Sequence, residues 1–249
     1  MSRIAVSKAQ YFALLRGMPL PGSDLTDKFN SDDEAQLLEA YRRTSKLTER
    51  SGLVWVLAHV GSEETAKAFI FTLTQEFKGA KLVADEGGTR GSEAGVMQTI
   101  VDCMGLLATR SDTAWEYVKQ GTEPSYWQQS VSWTSSTGGE IYGLLAASAI
   151  QSVGMANRPD VRQTIDNLKA RPPLDVGVPV SMRRVFDGDV MQAAFYADLR
   201  EEKGDASFYR RLVDAPRDQF DASGDFGRWV AGKGREWDTW YKARLAAEK

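Results

Sequence analysis

Three stretches of the chain share one rhythm of apolar and polar positions. They read LVWVLAHVGSEETAKAFIFTL from Leu53, IVDCMGLLATRSDTAWEYV from Ile100 and AASAIQSVGMANRPDVRQTIDNL from Ala146. Each opens on an apolar run and breaks at a corner of small residues: Val60-Gly61, Leu107-Ala108 and Val153-Gly154. Polar or acidic residues follow, and apolar positions then resume at spacings of three and four, the period of an amphipathic helix. The resumed stripes are Ala66, Phe69, Ile70 and Leu73; Ala114, Tyr117 and Val118; and Val161, Ile165 and Leu168. The corners recur about every 47 residues, within the range of two-helix repeats.

The corners carry helix-start chemistry. Ser62, Ser111 and Asn157 are residue types whose side-chain oxygen accepts from the unpaired N–H groups of a first helical turn. Glu63, Glu64, Asp112 and Asp160 sit where negative charge complements the positive end of the helix dipole, and Pro159 suits an early helical position. Outside the repeats, Ser7 caps an expected helix to Gly17, and Ser31 with Glu34 reads as a capping box. Beyond Pro172-Pro173, the segments VMQAAFYADLREE, FYRRLV, FGRWVAG and REWDTWYKARLAAEK read as helices. No stretch alternates as a strand does, and VGVPV contains a proline that demotes it. The expected fold class is all-α, with residues 1–46 an N-terminal helical segment, 47–171 paired-helix repeats and 172–249 a C-terminal helical cap or degenerate repeat.

Composition narrows the roles open to such a fold. A net charge of -3 supplies no general attraction to phosphate backbones, so nucleic acid is not an expected partner. One cysteine excludes an internal disulfide or a thiolate metal cluster, and Cys103 in IVDCMGLLA reads as a buried apolar residue. No apolar run reaches the length of a membrane span, and the N-terminal residues lack a secretory signal pattern; the expected setting is the cytoplasm.

The segments from Leu53 to Leu73, Ile100 to Val118 and Ala146 to Leu168 resemble HEAT-like repeats of bacterial α-solenoid proteins, through the LAHVGSEETA corner and the helix that follows it. The resemblance covers roughly half the chain. It implies an α-solenoid of antiparallel helix pairs whose concave surface binds macromolecules. The linkers here are longer than that family's. Metal-dependent hydroxylases of similar architecture use repeated His-Glu pairs, whereas this chain has one histidine, His59, followed by Val60. Helical-repeat DNA glycosylases use a basic face that the charge balance here disfavours.

Candidate chemistry is sparse. His59 with Glu63 and Glu64 would be an acid/base cluster, but a histidine at a helix end more often has a structural role. The loop from Asp85 to Ser92 is glycine-rich yet lacks the lysine and hydroxyl of a phosphate-binding loop. Asp225-Phe226-Gly227 matches the kinase magnesium triplet without its companions, and Asp187-Gly188-Asp189 is too short for a calcium loop. No cofactor or metal is expected. The polar stretch from Thr122 to Gly139 carries Tyr126, Trp127 and Trp133, candidate ligand-binding anchors for a carbohydrate or peptide. Phe226, Trp229, Trp237, Trp240 and Tyr241 read as the apolar face of a terminal cap. The leading expectation is a non-catalytic scaffold for a protein partner, with ligand binding by the 122–139 loop and helical-repeat catalysis as alternatives.

Overall fold

The computed structural model describes residues 23–79, 92–131, 138–171, 180–203 and 225–247. Among them every regular element is helical. A single turn, α1 (Ser23–Thr26), and a 3₁₀ turn (Ser31–Asp33) lead into α2 (Glu34–Arg43) and α3 (Leu47–Val60). Next come α4 (Glu63–Phe71), continued by a π-helical turn (Thr72–Glu76), then α5 (Glu93–Ala108), α6 (Asp112–Gly121) and α7 (Pro124–Ser130). The chain goes on through α8 (Gly138–Met155), α9 (Val161–Ala170), α10 (Val180–Lys203) and α11 (Asp225–Ala247).

The core runs through the middle of the long helices. α3 packs on α5, α5 on α8, and α8 on α10. These helices are apolar on most sides because they have neighbours on most sides; α5 buries Val96, Met97, Ile100, Cys103, Met104 and Leu107. α4, α6 and α9 are shorter and two-faced: α6 buries Ala114, Trp115, Tyr117 and Val118 and leaves Glu116 exposed. The expected apolar stripes of the shorter helices are in place, with Val161, Ile165 and Leu168 buried on α9.

Close approach of the long helices depends on two glycines. A Cβ at Gly105 of α5 would stand 2.0 Å from the carbonyl oxygen of Ser152 on α8, and one at Gly154 would stand 2.0 Å from that of Ala193 on α10. The Ser152 hydroxyl fastens the first contact by donating to the carbonyl oxygens of Val101 (2.5 Å) and Asp102 (2.9 Å).

Neighbouring corners cap one another. Glu34 of α2 accepts from the Ser62 N–H (2.8 Å), the Ser62 hydroxyl (2.9 Å) and the Thr65 hydroxyl (2.7 Å) at the start of α4. Burial would raise the Glu34 pKa, but these hydrogen bonds outweigh it and leave it lowered. Glu63 does the same for α6, accepting from the Asp112 N–H at 2.7 Å. In the opposite direction, Arg110 donates to the Ala58 (2.7 Å) and Gly61 (3.0 Å) carbonyls that end α3, and Arg158 donates to the Ala108 carbonyl (2.5 Å) that ends α5. Arg244 of α11 reaches the Lys169 and Arg171 carbonyls at the end of α9, both at 3.1 Å. Acids thus meet helix starts and arginines meet helix ends, as the helix dipole favours.

Several expected details shift. Ser62 and Ser111 cap the helix starts after the first two corners, whereas after the third the N-cap position is Asp160, not Asn157, without a side-chain cap bond, and Pro159 precedes the helix. Gly154 is not a corner, because α8 continues through it to Met155. The capping box belongs to Asn30 and Asp33, one residue earlier than expected, which frees Glu34 to reach α4. FGRWVAG and REWDTWYKARLAA form one helix, α11, and both Asp225-Phe226-Gly227 and Asp187-Gly188-Asp189 lie within helices. The Ser7–Gly17 segment, the glycine-rich loop and FYRRLV lie outside the described residues. No helix among the described residues is long and apolar enough to cross a membrane.

Candidate functional site

The residues singled out in the sequence do not converge. His59 is half-buried at the end of α3. Burial first, and then the nearby Arg110 charge, lower its pKa against an opposing pull from Asp27. The helix-end carbonyls beside it are served by Arg110 instead, and Glu63 turns away to cap α6. Cys103 is buried, as its apolar setting implies.

Trp127 is fully enclosed on α7, and its indole N–H donates to the Gly121 carbonyl at 2.7 Å. Tyr126 is half-buried and packs edge-on against Trp127 and Tyr117, with centroids 5.4 and 5.7 Å away. Trp133 lies outside the described residues. Of the two described anchors, Trp127 is buried and Tyr126 is partly exposed. In the C-terminal region, Phe195 of α10 meets Trp229 and Trp237 of α11 at 5.2 and 5.4 Å.

A groove with a polar floor lies elsewhere. A groove of about 440 Å³ runs between α2, α3, α4 and the π turn, lined by Tyr41, Arg42, Arg50, Phe71, Thr72 and Glu76 among others. Its floor is a closed polar network. Arg50 makes a two-pronged ion pair with Glu76, Nη1 to Oε1 at 2.5 Å and Nη2 to Oε2 at 2.6 Å. The Tyr41 hydroxyl donates to Thr72 Oγ1 (2.7 Å), which donates to Glu76 Oε2 (3.2 Å). The Arg50 guanidinium also stacks over the Tyr41 and Phe77 rings, at 4.5 and 5.2 Å. Burial pushes the Tyr41 pKa up to about 12, so it stays a hydroxyl donor at neutral pH.

The rim differs in character. Phe71 is 60% exposed, and the exposed Arg42 has no hydrogen-bond or carboxylate partner among the described residues. Lys67 and Glu64 on the same rim are paired with each other at 2.7 Å. Sequence inspection missed this site, although a signal was present: Arg50 falls in phase with Leu53, Val54 and Leu57 on an apolar helix. An arginine on such a stripe needs a partner carboxylate from another element.

No protein-family model matches the chain, and no curated protein or solved structure matches it. Among the described residues, no group of three His, Cys, Asp or Glu side chains is placed to hold a metal ion.

One buried carboxylate has a measurable consequence. Asp189 of α10 accepts from Gln151 Nε2 at 2.6 Å, while its other oxygen is buried without a partner. Burial raises its pKa to about 6, despite the Gln151 bond. The folded state therefore holds this proton more tightly than the unfolded chain, so stability falls as pH rises from about 4 to about 6. Asp189→Asn keeps an acceptor for Gln151 and removes the buried charge. It is expected to add about 2 kcal/mol at pH 7.5 and almost nothing at pH 4, measured by urea unfolding at both values. An equal gain at both would refute the assignment.

Proposed function

We propose that the chain is a HEAT-like α-solenoid and a non-catalytic binding module for a protein partner. The observation that supports it is the repeated offset of its long-range ties. The N-cap positions after the corners are Ser62, Ser111 and Asp160, each 49 residues from the next. Side-chain bonds between successive corners span 45 to 52 residues, from Trp115–Asp160 to Ala58–Arg110. In this reading each helix pair is held by its neighbours, and α10 prolongs the stack on α8. Such an arrangement leaves one long surface free to be shaped by a partner without disturbing the core.

Photo-crosslinking tests the role. A photoreactive amino acid placed at Phe71 in the full chain, expressed in the cell of origin, is expected to capture one dominant protein partner. The adduct is expected to vanish when unlabelled chain is added in excess. Labels at other exposed positions of α4, α6 and α9 extend the search. Labels at all of these sites giving only diffuse, non-competable adducts would contradict the proposal.

A further inference from the structure

We propose that the groove between α2, α4 and the π turn receives a short partner segment carrying a carboxylate beside an aromatic or aliphatic side chain. The inference rests on the protein-binding role above and names the site and chemistry for it. Charge bookkeeping within the groove favours an acidic guest. Its own acids are engaged, Glu64 by Lys67 and Glu76 by Arg50, whereas Arg42 on the rim is left uncompensated among the described residues. On the same helix and the turn after it, Arg43 pairs with Glu39 and Lys46 with Glu49.

The apolar half of the guest is set by Phe71. Only Phe71 and Leu144 are large hydrophobic side chains left exposed among the described residues, and Phe71 opens onto the groove with Ala68. Arginine is enriched among the few side chains that dominate interfaces, and Phe71 on the same groove adds exposed apolar area. The floor supplies the rigidity that such a site needs. Arg50 is held by its two-pronged pair with Glu76 and by the Tyr41 and Phe77 rings, so a guest meets a preformed surface. A cavity of about 440 Å³ is large enough for two or three side chains rather than a folded domain.

The test uses the full chain and dye-labelled probes read by fluorescence anisotropy. One probe places two glutamates beside a phenylalanine in a glycine-serine frame. A second replaces the glutamates with lysines, and a third is a single-stranded oligonucleotide. The acidic probe is expected to bind at least tenfold more tightly than the lysine probe, and more weakly as salt is raised. Arg42→Glu and Phe71→Asp are each expected to weaken it about tenfold, with helical circular dichroism unchanged, since both side chains are exposed. Arg42→Gln and Phe71→Ser are milder versions, expected to move affinity in the same direction. Equal binding of both peptides, no binding of either, or binding indifferent to the substitutions would overturn the assignment. Preferential capture of the oligonucleotide through Arg42 and Phe71 would overturn it too. A crosslinked partner that maps to other helices while the acidic probe fails would remove this groove and leave the binding role intact.

Discussion

Glu76→Ala is expected to destabilise the protein by about 3–4 kcal/mol, well above the loss from Arg50→Met. The asymmetry follows from burial. The Arg50 side chain is 7% exposed and that of Glu76 is 35% exposed. Removing Glu76 leaves a largely buried guanidinium without its carboxylate, and it also deprives Thr72 of its acceptor in the chain from Tyr41. Replacing Arg50 with methionine puts an unbranched apolar side chain between the Tyr41 and Phe77 rings, while Glu76 turns outward to solvent. That change is expected to cost about 1–2 kcal/mol. In a chain of this length the larger loss corresponds to a fall of about 6–16 °C in Tm. Thermal unfolding of the two variants side by side decides the matter; an equal or larger loss from Arg50→Met would show that the pair is not the anchor of the π turn.

Gly105→Ala and Gly154→Ala are expected to lose about 3 kcal/mol each, the reverse of the usual result. An exposed glycine inside a helix normally gains about 1 kcal/mol on becoming alanine, because the unfolded chain loses freedom. Here the added methyl meets helix backbone: Ser152 O and C at 2.0 and 2.7 Å in one case, Ala193 O and C at 2.0 and 2.6 Å in the other. A flexible side chain would move aside, but a carbonyl within a hydrogen-bonded helix moves only with the helix, so α5 and α8, or α8 and α10, must separate. Gly234→Ala on α11 is the matched control. Nothing lies within 4 Å of its added Cβ, and it is expected to stabilise slightly. Stabilisation at all three positions would contradict the close packing of the long helices.

The sequence revealed the helices more readily than the contacts between them. Apolar spacing located α4, α6 and α9, and the serines at 62 and 111 marked their caps, because both signals are local. The third corner misled: Val153-Gly154 reads as a helix end, yet glycine is used there for close approach to Ala193, 39 residues away, which no local pattern reveals. The first glutamate after the corner, Glu63, looked like a partner for His59, but it is committed to the next corner at Asp112. The groove was hidden for the same reason. Tyr41, Arg50 and Glu76 come from three elements, and only Arg50, a charge on an apolar stripe, hinted at a buried counterpart. Trp127 shows another limit of local reading: an aromatic in a polar stretch reads as a surface anchor, and here its ring is enclosed and its N–H closes back on Gly121 six residues earlier.

On the proposed solenoid reading, stability passes from each helix pair to its neighbours and leaves one long surface to a partner. Native-state hydrogen exchange on the Glu76→Ala variant tests it most directly. A neighbour-coupled stack loses protection most strongly over residues 34–76, less over 93–121, and almost none over 161–203. An equal loss of protection in every helix would instead mark a single cooperative globule and contradict the account.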